Sequence, residues 1–248
     1  MSTNNPNTFN NDFYAPTDLF AAAADADERA GFITKTYLYL IGAVLSMVGL
    51  EVIYFNLLFS MEQATRIAGT MTNGFTWLIV LGLFMAVQWI ADTWARNSAN
   101  PVMQIAGLAL YAVVASIVLF PLLTIALLVD QSGKVITSAG VATGGLFSLM
   151  TLAVFITRKD FSFLRTFLVF GGMAALGLVV ISILFGFSLG PIFIYAMIAL
   201  ACGYILYDTS NVLHHYRIGQ HAAASLALLA SLFILFWYVL QLFLSSRE

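Results

Sequence analysis

Charge is what this 248-residue chain has least of: Asp, Glu, Lys and Arg make up only 9% of it, well under the ~25% usual in soluble domains. Beside 61% apolar residues, that deficit excludes an ordinary soluble globule. Cysteine occurs once, at Cys202, which excludes an intramolecular disulfide and a cysteine-rich zinc site; its apolar neighbours read it as a small hydrophobe. Ten basic residues against twelve acidic ones leave a net charge of −2 and no basic block of the kind that neutralises a run of phosphates, so nucleic acid is not an expected partner. Lysine is absent after Lys159, which excludes a Schiff-base photoreceptor. There is no Gly-rich phosphate loop and no paired-cysteine motif. The only histidines, His214, His215 and His221, lie at the end of one apolar stretch and just beyond it, away from where an intramembrane hydrolase would hold its base. Adjacent histidines on a helix point in different directions, so these three with Asp208 are not expected to form a zinc site. The expectation is a non-enzymatic protein without cofactor or resident metal.

What the chain does have is long apolar runs. A hydrocarbon core of ~30 Å needs about 20 apolar residues per helix, and seven stretches qualify, at 36–59, 75–95, 102–129, 135–157, 164–186, 190–213 and 222–244. None alternates with the two-residue period of a membrane barrel. The punctuation between them is short, as in Ser98-Ala-Asn-Pro101, Asp130-Gln-Ser-Gly-Lys134 and Arg158-Lys-Asp160, which predicts antiparallel neighbours in one bundle. The expected organisation is a polar, mobile tail over 1–33, with five Asn in its first eleven positions, followed by an all-α polytopic membrane domain over 34–248. The tail lacks the basic and apolar regions of a cleavable signal, so the first apolar stretch is expected to be retained as a span.

With the amino terminus inside, the inner segments carry Arg29, Lys35, Arg96, Arg158, Lys159, Arg165 and Arg217, and the outer segments only Arg66, Lys134 and Arg247. That asymmetry favours a cytoplasmic amino terminus. The last segment then ends outside, or inside if it is re-entrant. Gly140-x-x-x-Gly144 offers a small-residue face for close helix packing. Pro121, inside the third span, predicts a kink or a local opening of that helix.

A charged side chain at the bilayer centre costs at least about 2.5–3.5 kcal/mol, so the four within or at the end of spans are informative: Glu51, Asp92, Arg96 and Asp208. At ~1.5 Å of rise per residue, Asp208 lies roughly 27 Å beyond Gly190 and Arg96 roughly 33 Å beyond Gly74 on the same side, level to within about one turn. Glu51 belongs to the other half of the membrane and is read second to Asp208, as a carboxyl that hydrogen-bonds in its protonated form. For Arg96 the local alternative is a pair with Asp92 at i, i+4. Asp208 reads equally as a structural hydrogen-bonding group or as part of an ion path.

The stretch Gly203-Tyr-Ile-Leu-Tyr-Asp-Thr-Ser-Asn-Val-Leu-His-His215, with Ala224-Ser-Leu-Ala-Leu-Leu229, resembles the Bax inhibitor-1 family, the transmembrane Bax-inhibitor-motif proteins, in its bacterial branch. Trp94-Ala-Arg96, Leu119-Phe-Pro-Leu122 and Lys159-Asp-Phe-Ser-Phe-Leu164 extend the likeness over roughly residues 29 to 244. The resemblance implies a seven-helix bundle with the seventh span near its centre, in a bacterial inner membrane. In characterised relatives it implies a pH-sensitive calcium leak, in which aspartates on the sixth and seventh spans pair and an arginine latches them. Asp208 and Arg96 match two of those positions. Other relatives modulate a membrane-anchored AAA protease, so one fold carries two candidate functions.

The chain departs from the pattern at the second aspartate, where Ala227-Leu-Leu-Ala-Ser231 puts Ser231. Two crowded carboxylates hold a shared proton more readily than one carboxylate beside an arginine and a serine, which weakens the expectation of near-neutral pH sensing. A single carboxylate is also a poorer calcium ligand, since Ca2+ takes six to eight oxygens. The first expectation is a calcium leak gated at Asp208 and Arg96, with Ser231 and Asp92 in the same region and only transient Ca2+. The alternative is a non-conducting protein that contacts a membrane protease through its acidic amino-terminal tail.

Overall fold

The computed structural model describes residues 20–97 and 100–246. Most of the expected polar tail, part of the Ser98–Pro101 connection and Arg247 therefore lie outside the described residues. Among the described residues eight α-helices follow in order: α1 Ala26–Ile53, α2 Met61–Met71, α3 Gly74–Ala95, α4 Pro101–Val129, α5 Lys134–Thr157, α6 Leu164–Phe185, α7 Gly190–His214 and α8 His221–Ser245. All but α2 are long and apolar enough to cross a membrane, and six of those seven agree with the expected spans to about one residue at each end. The first starts earlier than expected, at Ala26, and ends in a π-helical turn, Tyr54–Leu58, closed by the Phe59 N–H donating to the Tyr54 carbonyl at 2.9 Å.

Local sequence sets the helix ends. Asn100 accepts from the N–H groups of Val102 and Met103, with Pro101 at the first helical position, where its missing N–H costs nothing. Gly186 ends α6 at φ 70°, a left-handed conformation that glycine takes without a Cβ penalty. Helix α2 is opened by a capping box between Ser60 and Gln63 and buries only Ala64 and Ala68, packing on α4. It was not anticipated because it is too short and too polar to span.

Helix α8 packs against α7, α1, α5, α4 and α3, which puts the seventh span at the centre of the bundle as expected. It shares that centre with α4, which buries residues from Gln104 through Ala126 and runs unbroken through Pro121. A ladder of rings, Tyr111, Phe84, Phe233, Trp237 and Trp77, joins α4, α3 and α8, ending in a stacked Trp77–Trp237 pair 5.6 Å apart. At Gly107, where α4 crosses α3, a Cβ would lie 2.5 Å from the Ala91 carbonyl oxygen and 2.7 Å from the Ala95 nitrogen, so only glycine permits that approach.

The expected packing role of Gly140 and Gly144 is not what these residues do. A Cβ at either would meet nothing within 4 Å. Close small-residue packing occurs instead between α6 and α7, where Gly172 faces the Tyr204 hydroxyl and Gly203 faces Leu168. The i, i+4 spacing identifies small residues but not what sits opposite them.

Candidate functional site

The polar residues gather where α3 and α7 end and α8 begins. Asp208 sits three-quarters of the way along α7, 9% exposed, and faces α8. On α8, Ser231 is 3% exposed and its hydroxyl donates to Asp208 Oδ2. These two side chains form a polar link across the α7–α8 contact. A hydroxyl donor to a carboxylate satisfies one lone pair without bringing in a second charge, so no cation is required to hold the pair together.

Arg96 is the residue after the last turn of α3, and its Nε donates to Asp92 Oδ2 at 2.8 Å. Its guanidinium also lies over the Tyr216 ring, 5.9 Å from the centroid, in the α7–α8 turn. Among the described residues its ion pair is with Asp92 and not with Asp208. The arginine acts on Asp208 as a nearby positive charge and not as a hydrogen-bonded latch. The Asp92 hydrogen bond raises the guanidinium's already high pKa and burial lowers it by less, so Arg96 stays charged. Tyr216 is buried, and burial pushes its phenol up.

Tyr216 connects this cluster to the chain's amino-terminal side. The Ala21 N–H donates to the Tyr216 carbonyl at 2.9 Å, Phe20 pairs with Arg217 in an isolated antiparallel bridge, and the Arg217 guanidinium lies over the Phe20 ring. Arg29, in the first turns of α1, ties the segment down by donating to the carbonyls of Ala21 (2.8 Å), Ala22 (2.6 Å) and Ala24 (3.3 Å). Residues 20–25 thus form a strap, with Ala21 fully buried, against the turn that holds Tyr216 beside Arg96. This part of the expected mobile tail is docked, because one guanidinium satisfies three carbonyls that a short alanine-rich segment would leave unpaired.

Two further clusters were not anticipated. The hydroxyls of Tyr37, Thr151 and Thr209 come together where α1, α5 and α7 meet, one residue from Asp208, buried and without a protein partner in hydrogen-bonding geometry. Only the adjacency of Thr209 to Asp208 could have pointed to them. At the α5–α6 turn the Phe161 N–H donates to Ser210 Oγ at 2.9 Å, Ser210 Oγ donates to Asp160 Oδ1 at 3.4 Å, and His215 Nε2 lies 3.5 Å from Asp160 Oδ2. Burial raises the Asp160 carboxyl, but the Ser162 N–H and hydroxyl and the charges of His215 and His214 outweigh it and hold the group below its usual range. His215 therefore ties the α5–α6 turn to α7. Among the described residues no group of three His, Cys, Asp or Glu side chains could hold a metal ion.

Glu51 stands apart from all of this. It is 7% exposed on α1, and neither carboxyl oxygen has a hydrogen-bond partner. It faces a cavity between α1, α4, α5 and α8. The structure therefore joins Asp208 with Ser231 and Arg96 with Asp92 in one neighbourhood and leaves Glu51 outside it.

A family profile described as inhibitor of apoptosis-promoting Bax1 matches residues 29–248. An uncharacterised protein of Pseudomonas aeruginosa is 35% identical over 124 residues, 50% of this chain and 55% of that protein. LIFEGUARD 4 of Arabidopsis thaliana is 33% identical over 122 residues, covering 47% of this chain and 49% of its own length. Bax inhibitor 1 of Schizosaccharomyces pombe is 33% identical over 116 residues, 45% of this chain and 42% of the yeast protein. The chain spans about half the length of the curated relatives it matches. No solved structure matches it. With seven apolar helices around a central last span, the Asp208 motif in place and the profile running nearly end to end, this chain belongs to the Bax inhibitor-1 family of multi-pass membrane proteins.

Proposed function

We propose that the protein is a non-enzymatic cation leak of a bacterial inner membrane, with its amino terminus in the cytoplasm, calcium as the conducted ion and Asp208 as the gating carboxylate. The observation that carries the reading is the state of Asp208: a buried carboxyl at the centre of the bundle, held across the α7–α8 contact by a hydroxyl, with the one nearby guanidinium committed to Asp92. A buried ionisable group in a membrane span is costly and is kept where it has work to do. A hydroxyl is a weaker lock than an ion pair, because it can rotate away and donate to its own helix. Ser231 Oγ already lies 3.2 Å from the Ala227 carbonyl, which offers that alternative partner.

In this mechanism α7 and α8 separate at Asp208 and Ser231. Asp208 then attracts a cation, and the clustered Tyr37, Thr151 and Thr209 hydroxyls supply oxygens on the neighbouring side of α7. Arg96, Tyr216 and the strap close the end of the bundle below, so that movement of the strap relaxes Arg96 and lowers the positive potential facing an incoming ion.

The test is calcium and potassium flux into proteoliposomes across pH 5 to 8, a range that brackets ordinary and burial-shifted carboxylates, with Asp208→Asn alongside. A changed flux in the variant supports the gate, and identical flux in both proteins removes it. A second reading, a non-conducting modulator of a membrane-anchored AAA protease, draws support from Asp25, Asp27 and Glu28, which stand exposed beside the docked strap. Under that reading, removing residues 1–28 abolishes co-purification of the protease and leaves no flux to lose.

A further inference from the structure

The cavity at Glu51 is separate from the proposed gate and has its own chemistry. It encloses about 490 Å³ between α1, α4, α5 and α8, within the 300–1,000 Å³ of typical small-molecule sites. Its walls are leucine, valine and phenylalanine side chains. Besides the Asn56 amide at the rim, two polar groups interrupt them: the Glu51 carboxyl, 7% exposed, and the Thr143 hydroxyl, on a residue 3% exposed. Both Glu51 oxygens and Thr143 Oγ1 are buried without a protein partner. A buried carboxyl without a partner is costly, so an apolar residue such as leucine would be the more stable choice at that position.

The wall is also shaped for access. Gly140 and Gly144 face it, and the missing side chains leave open space on α5, with nothing within 4 Å of where a Cβ would stand. Val48 and Val52 on the α1 side are 54% and 55% exposed on the bundle's flank, so the cavity opens toward the acyl chains and not along the bundle axis. Its far rim is the π-helical turn carrying Phe55 and Asn56, a local widening of the helix of the kind that recurs at functional sites.

The chemistry of the donors selects the occupant. A hard metal ion needs six or more oxygens, and this cavity supplies one carboxylate, one hydroxyl and the Asn56 amide, whose nitrogen already donates to the Val52 carbonyl. An ammonium needs only two or three acceptors, and the apolar walls suit a hydrocarbon body. We propose that this cavity is a membrane-accessible binding site for a lipophilic amine, its ammonium on Glu51 and Thr143 and its alkyl body along α5 and α8.

The probe is a long-chain alkyl primary amine bearing a diazirine, with the matched alkyl alcohol as its uncharged counterpart. Both are photolysed with the full-length protein in lipid nanodiscs, and the labelled residues are mapped by mass spectrometry. The amine is expected to label α1 and α5 around Glu51 and Gly144 at least about tenfold more than the alcohol, the discrimination a charge-assisted hydrogen bond provides. Unlabelled amine should compete. Glu51→Gln should bring amine labelling down to the level of the alcohol. Gly144→Leu, which fills the cavity without disturbing Glu51, should abolish labelling by both. Equal labelling by amine and alcohol in the wild type, labelling elsewhere on the bundle, or undiminished amine labelling in both variants overturns the proposal. None of these readouts depends on whether the protein conducts.

Discussion

Replacing Ser231 by alanine removes the hydroxyl that donates to Asp208 across the α7–α8 contact and changes little else, since Ser231 is 3% exposed and alanine fits the same space. Asp208, itself 9% exposed, then loses the hydroxyl that satisfies its Oδ2. Leaving a buried acceptor unsatisfied costs about 1–3 kcal/mol, more when the group is charged. If the bond exists in the closed arrangement and is broken in the open one, that cost falls on the closed state alone and raises the open-to-closed ratio by roughly 5- to 150-fold. The assay is calcium entry into proteoliposomes at fixed protein density, with Asp208→Asn and the double variant completing a cycle. The account predicts faster entry in Ser231→Ala and a coupling of about 0.5–3 kcal/mol between the two positions. Unchanged entry in Ser231→Ala, or strictly additive effects, refutes the claim that this bond is the lock.

Arg29→Ala removes the donor to three strap carbonyls, and should release residues 20–25 to rapid amide exchange while α8 stays protected; exchange at Ala21 as slow as in the wild type would contradict it. Asp160→Asn tests the turn below α7. A carboxyl held below its ordinary value contributes stability that is present above its unfolded pKa of about 4 and is lost as pH falls through the folded value. The variant should therefore melt lower than wild type at pH 7, with the difference shrinking as pH falls below the ordinary carboxylate range; a difference that stays constant into acid would assign the effect to packing. Gly107→Ala forces a Cβ against the α3 backbone and should cost about 1–3 kcal/mol, whereas Gly82→Ala, with open space around it, should be neutral or mildly stabilising in the same thermal unfolding measurement.

The spans were legible because lipid imposes a length and a composition that short polar connections interrupt cleanly, and the Asp92–Arg96 pair was legible because i, i+4 geometry is local. The link between Asp208 and Ser231 joins residues 23 apart on different helices. Spacing alone does not reveal it; the match of the surrounding motif did, and it also identified Ser231 as the departure. Tyr216 carries no signal of its own, since an aromatic residue in a turn has many uses until Arg96 is seen against its ring. The strap was hidden for the opposite reason. Alanines next to Asp25 read as a solvated segment, and what docks them is a single guanidinium whose targets are backbone carbonyls, to which composition is blind. The Gly140 and Gly144 spacing was visible but ambiguous, because small residues serve an open cavity as well as a helix contact.

The central claim is that Asp208 lies on a path for calcium. The most direct measurement is calcium flux into proteoliposomes containing the full-length protein or its Asp208→Asn variant, at equal reconstitution and at several pH values between about 5 and 8. The account predicts flux above that of empty vesicles, and flux clearly altered in the variant. Flux indistinguishable from empty vesicles at every pH, or the same in both proteins, would contradict it.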